Sequence, residues 1–441
     1  MLKVVKFGGS SLADSSQFAK VKDIIEYDSA REVVVVSAPG KRFGGDNKIT
    51  DLLYLVHAHL KYGVSSETVL GMIKERYAEI KEGCGLETDI EALIDETFRD
   101  VDKRTPVDFI VSRGEQFCAI LMAEYLGYLF VDSTEWLTFD YSGKVDGKKS
   151  EKKLQELKEK YGRIVTPGFY GVMPNGDVRV FSRGGSDITG ALASAYLNVD
   201  VYENWTDVSG ILMVDPRIVD RPKTIARVTY DELRELSYMG ASVLHEDTVF
   251  PVRLKDIPVN IRNTNDPEDP GTIIREKFTD ELQEEHERFI TGIAGKRNFS
   301  IINIYKSRMG EAKIGLLRQV LEIFDRYDVP VEQIPSGVDS FSVVFPSDSL
   351  KERKYDLMHE LQDNEGIDSC ELTEGISLIA IVGRQMAYRT GISGKIFKAL
   401  GDNKINIRTI EQGADEINIM IGVYNEDFER AIKVLYDSFA R

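Results

Sequence analysis

Cysteine is scarce in this sequence, and its three copies are scattered along the chain. Cys84, Cys118 and Cys370 form no C-x-x-C pair and no disulfide framework, a pattern typical of proteins from a reducing compartment. The five histidines do not cluster at metal-ligand spacing either. We therefore expect a cytoplasmic protein without a metal site of its own.

Long apolar runs and an excess of basic residues are also missing. No run approaches the ~20 residues of a membrane-spanning helix. The apolar pair Val4-Val5 begins so close to Met1 that no secretory signal is expected before it. The 441 residues include 56 basic and 73 acidic side chains, which gives a formal net charge of −17. Such a charge disfavours binding to nucleic acids and membranes, although a few local cations still suffice for a small acidic ligand.

Strand and helix patterns alternate along the first part of the chain. Residues 3–7 predict a buried strand, a Gly-Gly loop and a helix follow, and the four valines at 33–36 predict a second strand covered on both faces. This order predicts an α/β fold with a mostly parallel sheet sandwiched by helices. Further strands are predicted at 107–111, 164–165 and 199–202.

The last third of the chain contains an internal repeat. Gly315 and Gly337 recur as Gly391 and Gly413 at an offset of 76 residues. Apolar residues spaced four apart follow the first glycine of each copy, and alternating apolar residues flank the second. Each copy is therefore predicted to be a ferredoxin-like α+β module.

Proline breaks followed by acidic charge at 266–289 mark the expected end of the first domain. Two segments before it are candidate lids over an anionic ligand, the polar loop 41–48 and the lysine-rich segment 144–160. For 144–160 we favour the alternative interpretation, a solvated helix with a narrow apolar seam. The expected domains are a catalytic domain at 1–285 and two modules at 298–374 and 375–441, with a strand at 290–294 joining the second module.

The first motif that can carry chemistry is K-F-G-G-S-S at residues 6–11. A strand that ends in two glycines lets the backbone approach a ligand closely, and the amides that open the next helix favour an anion. Lys6 adds a cation at the same place. The motif predicts a phosphate cradle, but it lacks the Walker and G-x-G-x-x-G spacings, and a plain tight turn is the alternative.

A second Gly-Gly pair occurs in F-S-R-G-G-S-D at residues 181–187, where we again expect a strand of the same sheet to end in the two glycines. Arg183 is predicted to clamp a carboxylate with two hydrogen bonds. Asp187 is predicted to hold Lys6, and capping of a helix at 191–197 is its alternative role. Because one Gly-Gly element carries a lysine and the other an arginine, we expect a phosphoryl donor and a carboxylate acceptor to face each other.

Two further motifs add candidate ligands. In S-R-G-E-Q at 112–116, Glu115 follows the strand predicted at 107–111, and it either pairs with a substrate ammonium or offsets the dipole of a helix that it opens. The segment W-T-D-V-S-G-I-L at 205–212 with D-P-R at 215–217 is either a strand and turn or the rim of a nucleotide site.

These motifs, in this order, resemble those of the amino-acid kinase family, specifically its aspartate kinases. The paired C-terminal modules resemble the tandem ACT domains of the same enzymes, so that the resemblance covers nearly the whole chain. It implies the amino-acid kinase fold followed by two ACT modules. It also implies transfer of the γ-phosphoryl group of ATP, bound with Mg²⁺, to the side-chain carboxylate of L-aspartate.

The resemblance also implies individual roles, with Lys6 and Asp187 as the catalytic pair. The implied ATP-binding residues are Lys6, Gly8, Gly9, Ser10, Ser37, Thr206, Asp207, Leu212 and Arg217. The implied aspartate-binding residues are Thr50, Glu115, Arg183, Gly184 and Ser186. The implied effector residues in the first module are Gly315, Val331, Glu332 and Gly337. Departures from the family pattern occur at Ser182, Leu212, Ser242 and Glu246, and they concern the detail of the nucleotide pocket more than the reaction.

Regulation and assembly are further expectations. Glu332 is placed to pair with the side-chain ammonium of lysine, which favours lysine over threonine as the inhibitor, and an exposed strand residue is the alternative. We expect a homodimer or higher homo-oligomer through the ACT modules, and neither a nucleic-acid nor a membrane partner. The alternative functions are another carboxylate or carbamate kinase and an amino-acid sensor with a degenerate kinase part. Acceptors without an amino group would not need Glu115, and intact Lys6 and Asp187 disfavour the sensor.

Overall fold

The chain divides into two compact units. The computed structural model describes residues 1–182, 184–241, 244, 246–278, 290–310, 313–384, 386, 390–413 and 417–440. The first unit comprises Met1–Ile211, Thr224–Tyr230 and Val243–Phe278. The second comprises Leu212–Lys223, Asp231–Ser242 and Thr279–Arg441, so that two short segments leave the first unit and return to it.

Ten strands and ten α-helices are described between residues 1 and 278. The strands are β1 (Lys3–Phe7), β2 (Arg31–Val36), β3 (Leu129–Phe130), β4 (Ile164–Pro167), β5 (Tyr170–Val172), β6 (Val178–Val180), β7 (Val201–Thr206), β8 (Arg227–Thr229), β9 (Val259–Asn263) and β10 (Thr272–Arg275). The helices are α1 (Ser15–Tyr27), α2 (Ile49–Tyr62), α3 (Glu67–Cys84), α4 (Ile90–Phe98), α5 (Val107–Leu126), α6 (Ser133–Trp136), α7 (Gly147–Tyr161), α8 (Gly185–Leu197), α9 (Tyr230–Tyr238) and α10 (Glu246–Arg253).

Eight of these strands form the main sheet, in the order β3-β4-β2-β1-β7-β9-β10-β8. All neighbouring pairs are parallel except β9 and β10. The four valines of β2 are fully buried, as expected of a strand covered on both faces. The predicted class, a mostly parallel sheet between helices, is confirmed.

The register of the central strands positions the site. Phe7 pairs with Val36 and with Trp205, and Val36 pairs with Pro167. Because parallel strands end at the same edge, the loops that follow β1, β2, β4 and β7 leave the sheet side by side. The first predicted motif, the glycine pair after β1, lies at this edge.

The strand predicted at 107–111 is wrong, because these residues begin the helix α5. Pro106 precedes the first turn, and buried residues then recur along α5 with helical spacing. A short run of apolar residues is compatible with either a strand or a buried helix, and the long helix prevails here. Glu115 consequently lies in the interior of α5 instead of opening a helix.

The sequence predicted that the second Gly-Gly pair follows a strand of the main sheet. This prediction is wrong. β6 ends at Val180 and pairs only with β5, in a separate two-stranded sheet. α8 begins at Gly185 and not at 191, and Gly184 precedes it with φ 56°. Neither Ser186 nor Asp187 caps α8, because the glycine occupies the capping position.

The described strands of the second unit are β11 (Gly292–Tyr305), β12 (Ser340–Pro346), β13 (Ser369–Val382), β14 (Thr409–Gln412) and β15 (Asn418–Tyr424), and the α-helices described after residue 290 are α11 (Lys313–Arg326), α12 (Lys354–Gln362), α13 (Ile392–Asp402) and α14 (Phe428–Phe439). The strands form one sheet in the order β12-β11-β13-β15-β14. Gly292 to Lys296 of β11 pair with Leu378 to Val382 of β13, and Phe299 to Tyr305 pair with β12 as well as with β13. The two copies of the repeat therefore share two long strands.

Among the described residues, no helix is long and apolar enough to span a membrane.

Candidate active site

Lys6, Asp187 and Asn204 form a closed polar triangle above the main sheet. Lys6 and Asn204 are partners in the register of β1 and β7, so their side chains leave the same face. The Lys6 Nζ lies 2.7 Å from Asp187 Oδ1 and 3.5 Å from Asn204 Oδ1. Asn204 Nδ2 donates to the same Asp187 oxygen at 2.8 Å. The structure thus brings together Lys6 and Asp187, the two residues predicted to be the catalytic pair.

The position of Asp187 depends on a close approach between α8 and β7. The hydroxyl of Tyr202 on β7 donates to the carbonyl oxygen of Asp187 at 3.2 Å. A Cβ at Gly190 would lie only 2.6 Å from that hydroxyl oxygen. Gly190 therefore lets α8 pack close enough for Asp187 to reach Lys6, and sequence reasoning did not single out this glycine.

The Gly8-Gly9 turn makes a backbone contact with the loop that follows β2. The amide of Gly40 donates to the carbonyl oxygen of Gly9 at 2.7 Å. A Cβ on Gly9 would lie 2.8 Å from the Ala38 carbonyl oxygen, so only glycine fits. Beyond Gly9 the chain forms a short 3₁₀ turn, Gly9–Leu12, and α1 begins only at Ser15. The sequence predicted that the amides opening a helix follow the two glycines. Only the amides of this short turn lie there.

Glu115 is a buried carboxylate that faces the same loop. It is 5% exposed, and the amide of Ala38 donates to it. Burial raises its pKa to about 8, although the nearby charge of Arg113 acts in the opposite direction. Glu115 Oε2 has no hydrogen-bond partner within the part of the chain that the structure describes. Such an oxygen favours a cationic ligand, because an unpaired buried carboxylate is unfavourable.

The segment Ser37–Gly40, which we call the 37–40 turn, links these features. The amide of Ser37 donates to the Phe7 carbonyl oxygen at 3.2 Å. The carbonyl oxygen of Pro39 accepts from the amide of Ile49 at 3.2 Å, where α2 begins with Thr50 next in sequence. One short turn therefore contacts the Gly8-Gly9 pair, which we call the glycine cradle, the carboxyl group of Glu115 and the start of α2.

Comparison with known proteins identifies the family of this chain. Residues 1–263 match the model of the amino acid kinase family, and residues 379–439 match that of an ACT domain. Aspartokinase 3 of Bacillus subtilis is 36% identical over 456 residues, which cover 99% of this chain and 98% of that protein. The chain belongs to the amino acid kinase family. Within it, the identity over the full length marks an aspartate kinase with a C-terminal ACT region.

Solved structures support the same assignment. Clostridium acetobutylicum aspartate kinase is 46% identical and superposes with a TM-score of 0.90, covering 99% of both chains. E. coli aspartokinase III, solved in complex with aspartate and ADP, is 26% identical with a TM-score of 0.70 and covers 100% of both chains.

The remaining residues that the sequence predicted to bind aspartate are described less completely. A Cβ on Gly168 would lie 2.7 Å from Ser186, and the Gly168 amide donates to the Val36 carbonyl oxygen at 2.9 Å. Ser186 therefore lies near the end of β2. Gly184 is exposed, and Arg183 lies outside the described residues.

The residues predicted to form the nucleotide rim are divided between the units. Thr206 ends β7, and its hydroxyl donates to Asp207 at 3.2 Å. Leu212 and Arg217 belong to the second unit, where Arg217 is exposed and pairs with Asp215 at 2.6 Å. Among the departures from the family pattern, Ser182 is exposed. Ser242 and the side chain of Glu246 lie outside the part of the chain that the structure describes.

The predicted effector residues lie in the first ACT copy. The Glu332 amide donates to Val344 at 2.8 Å, and the carbonyl oxygen of Gly337 accepts from Lys313 Nζ at 2.7 Å. Gly315 lies in the first turn of α11, and Val331 is half-buried beside the core of this copy.

Two residues near Glu332 escaped the sequence analysis. The Tyr238 hydroxyl donates to Glu332 Oε2 at 2.6 Å. Burial and the adjacent Glu332 raise the pKa of Tyr238 to about 12. Gln333 is buried, and its Oε1 has no hydrogen-bond partner among the described residues. No motif signals either residue, because their contacts depend on the tertiary packing of this unit.

The two candidate lid segments differ in structure. Most of 144–160 forms α7, whose Leu154 is fully buried and whose Lys158 pairs with Glu32. This packing agrees with the favoured interpretation of a solvated helix. The loop 41–48 has no regular secondary structure before Ile49, and an ion-pair cluster holds it.

Proposed function

We propose that this aspartate kinase transfers the γ-phosphoryl group of ATP to the side-chain carboxylate of L-aspartate and forms 4-phospho-L-aspartate. The observation that carries the proposal is that one short turn links a buried cation and a buried carboxyl group at one edge of the sheet. Lys6 lies beside the glycine cradle, and Glu115 lies on the other side of the 37–40 turn. The complex of E. coli aspartokinase III with aspartate and ADP supports the same pair of substrates.

The donor side suits nucleotide phosphates. Lys6 is 7% exposed, and Asp187 and Asn204 hold its ammonium in place before any ligand arrives. The Cβ that Gly8 lacks would lie 3.6 Å from Lys6 Nζ, so the missing side chain leaves room beside the cation. Mg²⁺ carried by ATP supplies further neutralisation of the phosphate charge. Phosphoryl transfer needs mainly alignment and charge stabilisation, and this fixed cation provides both.

The acceptor side suits an amino acid. Glu115 pairs with the substrate ammonium, which satisfies the oxygen that lacks a partner in the described structure. We assign the α-carboxylate to Arg183, and place Thr50, Gly184 and Ser186 around the acceptor. The attacking side-chain carboxylate of aspartate is already ionised, so the step needs no general base. A carboxylate or carbamate kinase whose acceptor has no amino group would gain nothing from Glu115.

Regulation forms the second part of the proposal. We infer that lysine binds at Glu332, Val331, Gly315 and Gly337 and inhibits the enzyme. E. coli aspartokinase III has been solved with lysine and aspartate in a T-state, which supports an amino-acid effector for this group of enzymes. A homo-oligomer formed through the ACT copies and a cytoplasmic location complete the proposal.

A coupled assay of ADP release with a panel of amino acids, combined with hydroxylamine trapping, tests the reaction. We expect turnover that depends on L-aspartate and yields aspartyl hydroxamate, the product expected from an acyl phosphate. Absence of aspartate-dependent ADP release would refute the proposed reaction. Equal turnover with a carboxylate that lacks an amino group would favour the alternative kinase.

A further inference from the structure

Arg76 on α3 is a buried cation that belongs to no recognised motif of the chain. It is 4% exposed, and its Nη1 donates to the carbonyl oxygen of Gly40 at 2.9 Å. Its Nη2 pairs with the carboxylate of Asp46 and reaches the Asn47 carbonyl oxygen at 3.5 Å. One guanidinium therefore fastens both ends of the loop 41–48.

We call the contacts of Arg76 with Gly40 and Asp46 the clamp. A second cation, Arg42, lies on its outer side. Arg42 Nε binds Asp46 Oδ2 at 3.0 Å, and its Nη1 pairs with Glu79 of α3. The hydrogen bond from Arg42 holds the pKa of Asp46 well below its usual range, so this carboxylate stays ionised throughout the physiological range. Asp46 thus keeps a partner even if the guanidinium of Arg76 is removed.

Gly40, the residue that Arg76 holds, is the end of the 37–40 turn. The amide of Gly40 donates to the carbonyl oxygen of Gly9 at 2.7 Å, and the amide of Ala38 donates to the carboxyl group of Glu115. The carbonyl oxygen of Pro39 accepts from the amide of Ile49, the first residue of α2. A shift of Gly40 would therefore be transmitted to the proposed phosphate cradle and to the proposed ammonium site at once.

We propose that Arg76 is a positioning residue for phosphoryl transfer, which holds the 37–40 turn against Gly9 on the nucleotide side and Glu115 on the acceptor side. It acts through the backbone of Gly40 and touches neither substrate. The proposal rests on the proposed function, because it assigns the two contacted residues to the two substrates.

Replacement of Arg76 should affect both substrates together. We expect Arg76→Met to raise the KM for ATP and the KM for aspartate and to lower kcat/KM by ~100-fold, the scale of a misplacement of about 1 Å. A residue serving only one substrate would change only one KM. Isothermal titration with a non-hydrolysable ATP analogue and, separately, with L-aspartate should show weaker binding of each.

Three companion variants separate positioning from stability. Arg76→Lys keeps the charge but cannot hold Gly40 and Asp46 with one planar group, so intermediate activity is expected. Arg76→Ala should recover activity when guanidinium is added at millimolar concentration, and methylammonium should not replace it. Lys74→Met is the matched control, because Lys74 lies on the same helix, pairs with Asp95 at the surface and should leave both KM values unchanged.

Thermal unfolding of each variant provides the remaining control. The proposal is overturned if folded Arg76→Met keeps both KM values within twofold of the wild type. Loss of activity only in proportion to unfolded protein, without recovery by guanidinium, would overturn it as well. If Arg76→Met does not fold, Asp46→Asn decides, because it weakens the same clamp and must again raise both KM values. Failure of the wild-type enzyme to use aspartate would count against the proposed reaction and not against the clamp.

Discussion

Lys6 and Glu115 are both buried ionisable residues beside one turn, but the structure holds them in opposite ways. The ammonium of Lys6 has two oxygen partners, from Asp187 and Asn204. Glu115 keeps one oxygen without a partner among the described residues, and its pKa rises to about 8. The difference supports the proposed roles, in which the nucleotide side is preorganised for an anion and the aspartate side is completed only when a cationic group binds.

Removal of the preorganised cation should have the largest effect. We expect Lys6→Met to lower kcat by ~10³-fold or more, because the phosphate charge in the transition state would lose its fixed counter-charge. Steady-state kinetics of ADP release measure this change. Lys152→Met, at an exposed position of α7, is the control and should retain full activity. A kcat of Lys6→Met within tenfold of the wild type would contradict the role of this residue.

Removal of the carboxyl group of Glu115, which lacks a partner for one oxygen among the described residues, should have a milder and more selective effect. Glu115→Gln keeps the shape of the side chain but cannot ionise to pair with an ammonium, so kcat/KM for aspartate should fall by roughly 10- to 100-fold. The KM for ATP, measured at saturating aspartate, should stay unchanged and serves as the internal control. An equal rise in both KM values would show that Glu115 shapes the turn and does not bind the substrate.

The same comparison predicts a pH dependence of stability without substrate. The pKa of Glu115 is raised from its ordinary value of 4.5 to about 8. Between these values the folded chain binds one more proton than the unfolded chain. Its stability should therefore fall as pH rises, by up to about 1.4 kcal/mol per pH unit. Thermal unfolding measured from pH 5 to pH 8 should show a loss of stability in the wild type that Glu115→Gln lacks. Parallel curves of stability against pH for the two proteins would contradict this prediction.

Glu332 offers an intermediate case, because a neutral hydroxyl already occupies one of its oxygens. Tyr238→Phe removes the 2.6 Å hydrogen bond to Glu332 and frees that oxygen for an ammonium. We expect lysine to inhibit this variant at a concentration about fivefold lower, the scale of one hydrogen bond, with kcat unchanged. Unaltered inhibition, or tight inhibition of Glu332→Ala by lysine, would remove Glu332 from the effector site.

The sequence predicted the general fold and the central pair of the site. Alternating patterns and the valine run of β2 indicated a parallel sheet, and two motifs 181 residues apart indicated that Lys6 meets Asp187. The strand predicted at 107–111 was wrong, because a short apolar run does not distinguish a strand from a buried helix. The second glycine pair was placed in the wrong sheet for a related reason, since local pattern does not specify strand pairing.

Residues that act through the backbone were not predictable from motifs. Gly40 matters because its backbone touches that of Gly9, and Gly190 because α8 lies against Tyr202. Arg76 looks like an ordinary charged residue in a helical segment until folding brings Gly40 and Asp46 to its guanidinium. Such contacts join segments distant in sequence, and only tertiary packing reveals them.

The most direct test of the central claim compares L-aspartate with succinate, which has the same carboxylates but no amino group. The ratio of their kcat/KM values should be measured for the wild type and for Glu115→Gln. We predict a strong preference of the wild type for aspartate that largely disappears in the variant. A wild-type enzyme that phosphorylates succinate as well as aspartate, or a variant that retains the full preference, would contradict the account.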